Sequence, residues 1–160
     1  MAAMGAAGDE AAVAEGMWRA TDLTRAYLDQ DRVRVGACLD GLDSVQVEHL
    51  LVWQVLEHDM LFDDLGEPSM SVRVLDEVSA LAPVDCEFVM TTAVREAVAA
   101  GTGLSSRLQE FAVAAQVHAL TVCMVVMLLE AHGRHGALEF VAASAEDFVR
   151  RGFPRPYPAT

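Results

Sequence analysis

The run FAVAAQVHALTVCMVVMLL, residues 111–129, contains no charged side chain. As a helix it would extend about 28 Å, close to the hydrocarbon thickness of a bilayer. Two destinations suit such a helix: a membrane, or the middle of a bundle whose other helices cover it on every side. Gln116, His118 and Thr121 interrupt the run, Arg107 and Glu110 lie just before it, and Glu130 follows it. The segments around it are amphipathic and need both a wet face and a partner face. These features favour a buried central helix, with membrane insertion of 111–129 as the minor alternative. The expected fold is therefore all-α, a single-domain bundle of roughly six or seven helices around a central apolar helix at about 104–131.

Working outward, helical periodicity dominates and no alternating strand pattern persists. A first helix is expected from near Asp9 to Leu28, with Val13, Met17, Ala20, Thr24 and Tyr27 on one stripe. Asp31 can cap a short second helix that Gly41 closes. Asp43-Ser44-Val45-Gln46 has the form of a capping box and opens a third helix to about Asp64, closed by Gly66. Pro68 or Ser69 starts a fourth, with Met70, Val74, Val78 and Leu81 on one face, and Pro83 ends it. Asp85 can cap a fifth helix to about Ala100, followed by a turn at Gly101-Thr102-Gly103.

Beyond the central helix, Gly133 and Gly136 bracket a short break. A last helix over about 137–151 groups Leu138, Val141, Ala145, Phe148 and Val149, and Gly152 stops it. The helical domain is thus 9–152. An Ala/Gly-rich flexible leader, 1–8, precedes it, and an extended Pro-rich tail, 153–160, follows. The tail is expected to fray rather than to strap onto a partner.

Asp and Glu outnumber Lys and Arg by 24 to 11, for a net charge of -13. Such a field repels phosphate backbones and argues against nucleic acid as a partner. All basic residues are Arg, and Lys, Asn and Ile are absent, the mark of a GC-rich and by inference bacterial coding sequence. The 3 cysteines, Cys38, Cys86 and Cys123, are widely spaced and form no CxxC, as expected of reduced core residues. Residues 1–10 have neither a basic segment nor an apolar one of signal-peptide type. A cytoplasmic location follows as the expectation.

Chemistry-bearing residues are few. The core stripe of the third helix, Val47, Leu51, Val55, Phe62 and Leu65, is interrupted by Gln54 and His58, one turn apart. His118 lies one turn from Thr121 in the central helix. Polar groups at apolar positions need partners. One reading makes Gln54, His58 and His118 a small ligand- or metal-binding pocket. The favoured reading makes them a closed hydrogen-bonded cluster of structural value. No metal is expected, because neither Glu57-His58-Asp59 nor His132 and His135 matches a ligand spacing such as HExxH. No catalytic residue and no cofactor is assigned, since no GxSxG, phosphate loop or base-paired thiol is present.

The third helix also has a second apolar stripe, His49, Trp53, Leu56 and Met60, opposite the first. Met and Trp are adaptable contact residues enriched at interfaces. The expected function is therefore a non-enzymatic helical protein acting through protein–protein contacts. Its partner is expected to be another copy, forming a homodimer, or another protein. A helical bundle binding a small molecule or metal at Gln54, His58 and His118 is the alternative.

Overall fold

Side-chain caps fix where the early helices begin. Asp31 accepts from the Arg34 amide at 3.0 Å. Asp43 accepts from the Gln46 amide at 2.9 Å while Gln46 Oε1 accepts from the Asp43 amide at 2.9 Å, a complete capping box. The computed structural model describes residues 2–66, 68, 70–86, 95–96 and 108–159. Among these residues the protein is all α. The helices are α1 (Ala2–Leu28), α2 (Arg32–Ala37), α3 (Ser44–Asp64), α4 (Val72–Ser79) and α5 (Val113–Arg150), and no strand occurs.

Several boundaries differ from the sequence-based ones. α1 starts at Ala2 rather than near Asp9, so helix takes in the segment read as a leader. Its alanines favour helix, and a glycine costs only about 1 kcal/mol against that preference. α2 stops at Ala37, well before Gly41. α4 begins at Val72, after an extended Ser71. The central helix starts at Val113 rather than near Leu104: Phe111 N–H bonds Leu108 O at 3.0 Å in a turn, and Ala112 is extended. Gln116 Nε2 reaches back to Phe111 O at 2.8 Å and pins that turn. The helix expected over 85–100 and the turn at Gly101-Thr102-Gly103 lie largely outside the described residues.

The break near Gly133 and Gly136 is narrower than expected. Gly133 alone leaves the helix, at φ 69 and ψ 174, a backbone state that favours glycine, and helix resumes directly after it. Arg134, the next residue, donates to the carbonyl of Leu28 at the end of α1. Its guanidinium thereby satisfies one of the orphan carbonyls of that helix end.

The first half of α5 forms the centre of the protein. Every residue from Val117 to Leu128 is buried. α1, α3 and α4 all pack on α5, and α1 also packs on α3. The α1–α3 crossing is close because of Gly16: a Cβ there would lie 3.1 Å from both the backbone carbon and oxygen of His49. α1 is buried on most of its circumference from Ala14 onward. Thr21 and Thr24 fit this apolar setting by donating to Met17 O and Ala20 O at 2.8 and 3.0 Å. Val13 and Val149, expected on buried stripes, are exposed.

A second, smaller core joins Met17, Trp18 and Phe148 to half-buried Trp53, Ala145, Phe153 and Tyr157. Trp18 and Trp53 both meet Phe148 edge-to-face with ring centroids 5.8 Å apart. The tail closes this core instead of fraying. Trp18 Nε1 donates to Phe153 O at 2.9 Å. Arg155 makes a two-pronged pair with Asp22 at 2.6 and 2.9 Å, and Tyr157 Oη donates to the same carboxylate at 2.5 Å. Arg155 also lies over the Trp18 ring at 4.6 Å, and Arg19 over the Tyr157 ring at 4.2 Å. The extended tail is thus a strap along α1.

Candidate functional site

The polar residues of the core separate into two pairs. Gln54, on the inner face of α3, donates from Nε2 to Thr121 Oγ1 at 2.6 Å, and Thr121 Oγ1 donates to Val117 O at 2.8 Å. Gln54 Oε1 is buried with no partner among the described residues. His118 instead faces α1: its Nδ1 lies 2.7 Å from Tyr27 Oη, and the two rings meet edge-to-face. Burial pushes the His118 imidazole down to about 4, against a smaller upward pull from Asp85. Burial, with help from Cys86 and Cys38, pushes the Tyr27 phenol up. Both groups are therefore neutral at physiological pH, and a neutral hydrogen bond joins α1 to α5.

His58 belongs to neither pair. A residue four positions along a helix is rotated by about 40° from the first. That rotation carries His58 from the inner lane of Gln54 to the helix edge. There its ring stacks on Phe62 at 6.1 Å, and Nδ1 lies 3.1 Å from the exposed Asp59 carboxylate. The closed cluster of Gln54, His58 and His118 does not form, and Tyr27 and Thr121 are the partners that sequence reasoning missed. Among the described residues no group of three metal-ligating side chains converges. A groove of about 120 Å³ between α1 and α3 is lined by Ala12, Glu15, Gly16, Arg19, Gln46 and His49, among others, and touches none of the three residues. Burial raises the thiols of Cys38 and Cys123 to about 11 and 12, which keeps them protonated.

The stripe read as an interface is divided by the fold. His49 is half-buried where α3 crosses Gly16, and Trp53 turns inward onto Phe148. Leu56 and Met60 remain outside, at 53% and 63% exposure, and Val45 and Val52 join them at 56% and 58%. Val52, Leu56 and Met60 succeed one another at four-residue steps, so they form one line on the outward side of α3. Exposed carboxylates of Glu48, Asp59 and Asp63 share that side, and α3 contains no Arg. The line was obscured in the sequence because Val47, Leu51 and Val55 make the helix apolar on nearly every side.

Glu57 lies between this line and the core. Burial pushes its carboxyl up to about 7 from 4.5, against the opposing pull of the Trp53 indole N–H. Trp53 Nε1 itself has no partner at hydrogen-bond distance and angle among the described residues. A carboxyl that holds its proton to higher pH in the fold than in the unfolded chain weakens the fold as pH rises through that interval. Glu57→Gln removes this penalty. Thermal melts at pH 8 should show the variant more stable by about 1–2 kcal/mol, the partial exposure of the group being allowed for. At pH 4 the two proteins should melt together. Equal melting at both pH values would rule out the shifted carboxyl.

No family model matches the chain, and no characterised protein or solved structure matches it.

Proposed function

We propose that this protein is a non-enzymatic helical bundle that acts through protein–protein contacts on the outward face of α3. The observation that carries this reading is the exposed line of Val52, Leu56 and Met60 at four-residue steps on one helix face, with Val45 exposed two turns before it at the rim of the α1–α3 groove. Apolar side chains scattered singly over a surface need no explanation, but three of them one turn apart on one helix face suit a contact surface. The interior reading, a ligand or metal site at Gln54, His58 and His118, has less support, because these residues point to three different partners. The α5 helix fits the role of a bundle core, and a cytoplasmic, soluble protein is the corresponding proposal for location. Self-association through α3 brings Glu48, Asp59 and Asp63 of two copies together, so a homodimer by this face is expected to need screening salt.

Substituting the line tests the reading. Val52→Ser, Leu56→Ser and Met60→Ser combined should leave the melting temperature within about 2 °C of wild type, since exposed apolar groups stabilise little. The same variant should bind less of a hydrophobic fluorescent dye and stay in solution without detergent. A loss of several degrees would show that these side chains are covered by the protein itself, and the reading would fail. Sedimentation of the wild type at low and high salt then reports whether a second copy occupies the face.

A further inference from the structure

The outward side of α3 combines two features that together specify an occupant. Val52 to Met60 extends along about 12 Å of helix axis, a little over two turns, and so matches a helix of two to three turns laid alongside it. Recognition of that kind uses apolar anchors at helical spacing on the incoming segment, set into the apolar line. The second feature is charge. Glu48, Asp59 and Asp63 accompany the apolar line, and Asp64 follows at the end of the helix. His58 contacts Asp59, and no Arg pairs with Glu48, Asp63 or Asp64 among the described residues.

The rest of the chain is poor in the complement. It carries no Lys, and its net charge is -13. Of its Arg residues, Arg19, Arg25, Arg34, Arg73, Arg95 and Arg155 already pair with carboxylates of their own surroundings. A second copy docked through its own α3 face would present the same carboxylates to one another. An incoming helix with Lys or Arg beside its apolar stripe would satisfy both features at once.

We propose that the outward face of α3 docks a basic amphipathic helix of another protein. The helix sets its apolar side on Val52, Leu56 and Met60 and its Lys/Arg flank against Glu48, Asp59 and Asp63. This rests on α3 being a protein-contact face and adds the chemistry of the partner. Opposite charge speeds encounter and fixes orientation, while the apolar line holds the complex.

Fluorescence anisotropy with the full chain tests it. One labelled synthetic peptide would be an amphipathic helix of Leu and Lys, and a second would keep the Leu positions and replace Lys with Glu. The Lys peptide should bind at least about tenfold tighter than the Glu peptide, and its affinity should fall as salt rises from about 0.05 to 0.5 M. Leu56→Ser with Met60→Ser should abolish that binding. Glu48→Gln with Asp59→Asn and Asp63→Asn should weaken it at least about tenfold, with circular dichroism confirming that both variants remain folded. Equal binding of the two peptides, lost in the Leu56/Met60 variant, would overturn the basic partner and leave the contact face standing. Binding of the Lys peptide that survives the Leu56/Met60 variant would overturn both. A wild-type dimer that binds neither peptide would assign the face to a second copy, against the proposal.

Discussion

Asp22→Ala should lower stability by about 2–3 kcal/mol, although Asp22 lies on the protein's periphery. The carboxylate is the charged anchor of the C-terminal strap: Arg155 grips both of its oxygens and Tyr157 donates to one of them. Arg155 and Asp22 are only about a quarter exposed, at 27% and 24%, so their attraction is less screened than that of an open surface pair. Burial and the nearby carboxylate push the Tyr157 phenol up, so it remains a donor at physiological pH. Removing Asp22 leaves a guanidinium and a hydroxyl without their acceptor while they still lie against Trp18 and α1. The tail then gains more freedom by leaving than it loses in contacts. Release should uncover Trp18, whose indole N–H bonds Phe153 O, and shift tryptophan emission to the red. It should also speed exchange of the Phe153 amide, which bonds Phe148 O at 2.9 Å. Arg155→Ala should act in the same direction. The double variant should fall short of additivity by about 1–2 kcal/mol, the coupling of a partly buried charge pair. An Asp22→Ala protein as stable as the wild type, with unshifted emission, would show that the strap holds by apolar contact alone.

The parts of this fold that were legible before the structure have local causes. The Asp43–Gln46 capping box works within three residues, and the uncharged run at 111–129 marks by composition a helix that needs apolar surroundings on every side. The all-α class follows from those signals. The strap was not legible, because Asp22 and Arg155 are isolated residues at opposite ends of the chain and neither belongs to a periodic pattern. Trp53 was misplaced for a similar reason: its destination is set by Phe148, on a helix that returns past α3 only after the turn at Gly133. The polar cluster failed on geometry. Gln54 and His58 are one turn apart, but the rotation of that turn is enough to put one in the core and the other at its edge. Tyr27, the actual partner of His118, was read as one more apolar position of α1, and its hydroxyl gave no periodic signal. Val52 escaped the interface stripe because Leu51, Trp53 and Val55 beside it make several lanes of α3 apolar at once.

His118→Ala should cost about 3–4 kcal/mol at pH 7, from the cavity it opens and from the stranded hydroxyl of Tyr27. The more specific expectation concerns acid. The unfolded imidazole takes up a proton near pH 6.5, whereas in the fold burial holds it down to about 4. Between those values the unfolded chain binds more protons, so stability falls as pH drops and rises again as pH returns. The loss amounts to about 3 kcal/mol once the lower value is passed, an upper figure for a single group. Glu57 titrates over nearly the same interval with the opposite slope, since its carboxyl is raised from 4.5 to about 7. The two contributions therefore offset each other, and the wild-type protein should show a shallow stability profile between pH 4 and 7. Substitution separates them. Tyr27→Phe with His118→Leu replaces both members of the buried pair by apolar groups of similar volume and should fold with about the wild-type stability at pH 7. Without His118, that variant should become more stable relative to wild type as pH falls from 6.5 to 4, by about 2–3 kcal/mol in denaturant titrations. Glu57→Gln should move the other way and expose the full acid sensitivity of His118. If the double variant and the wild type keep the same difference in stability at pH 4 and at pH 7, His118 takes up its proton as readily in the fold as in the unfolded chain, and burial does not hold the imidazole neutral in acid.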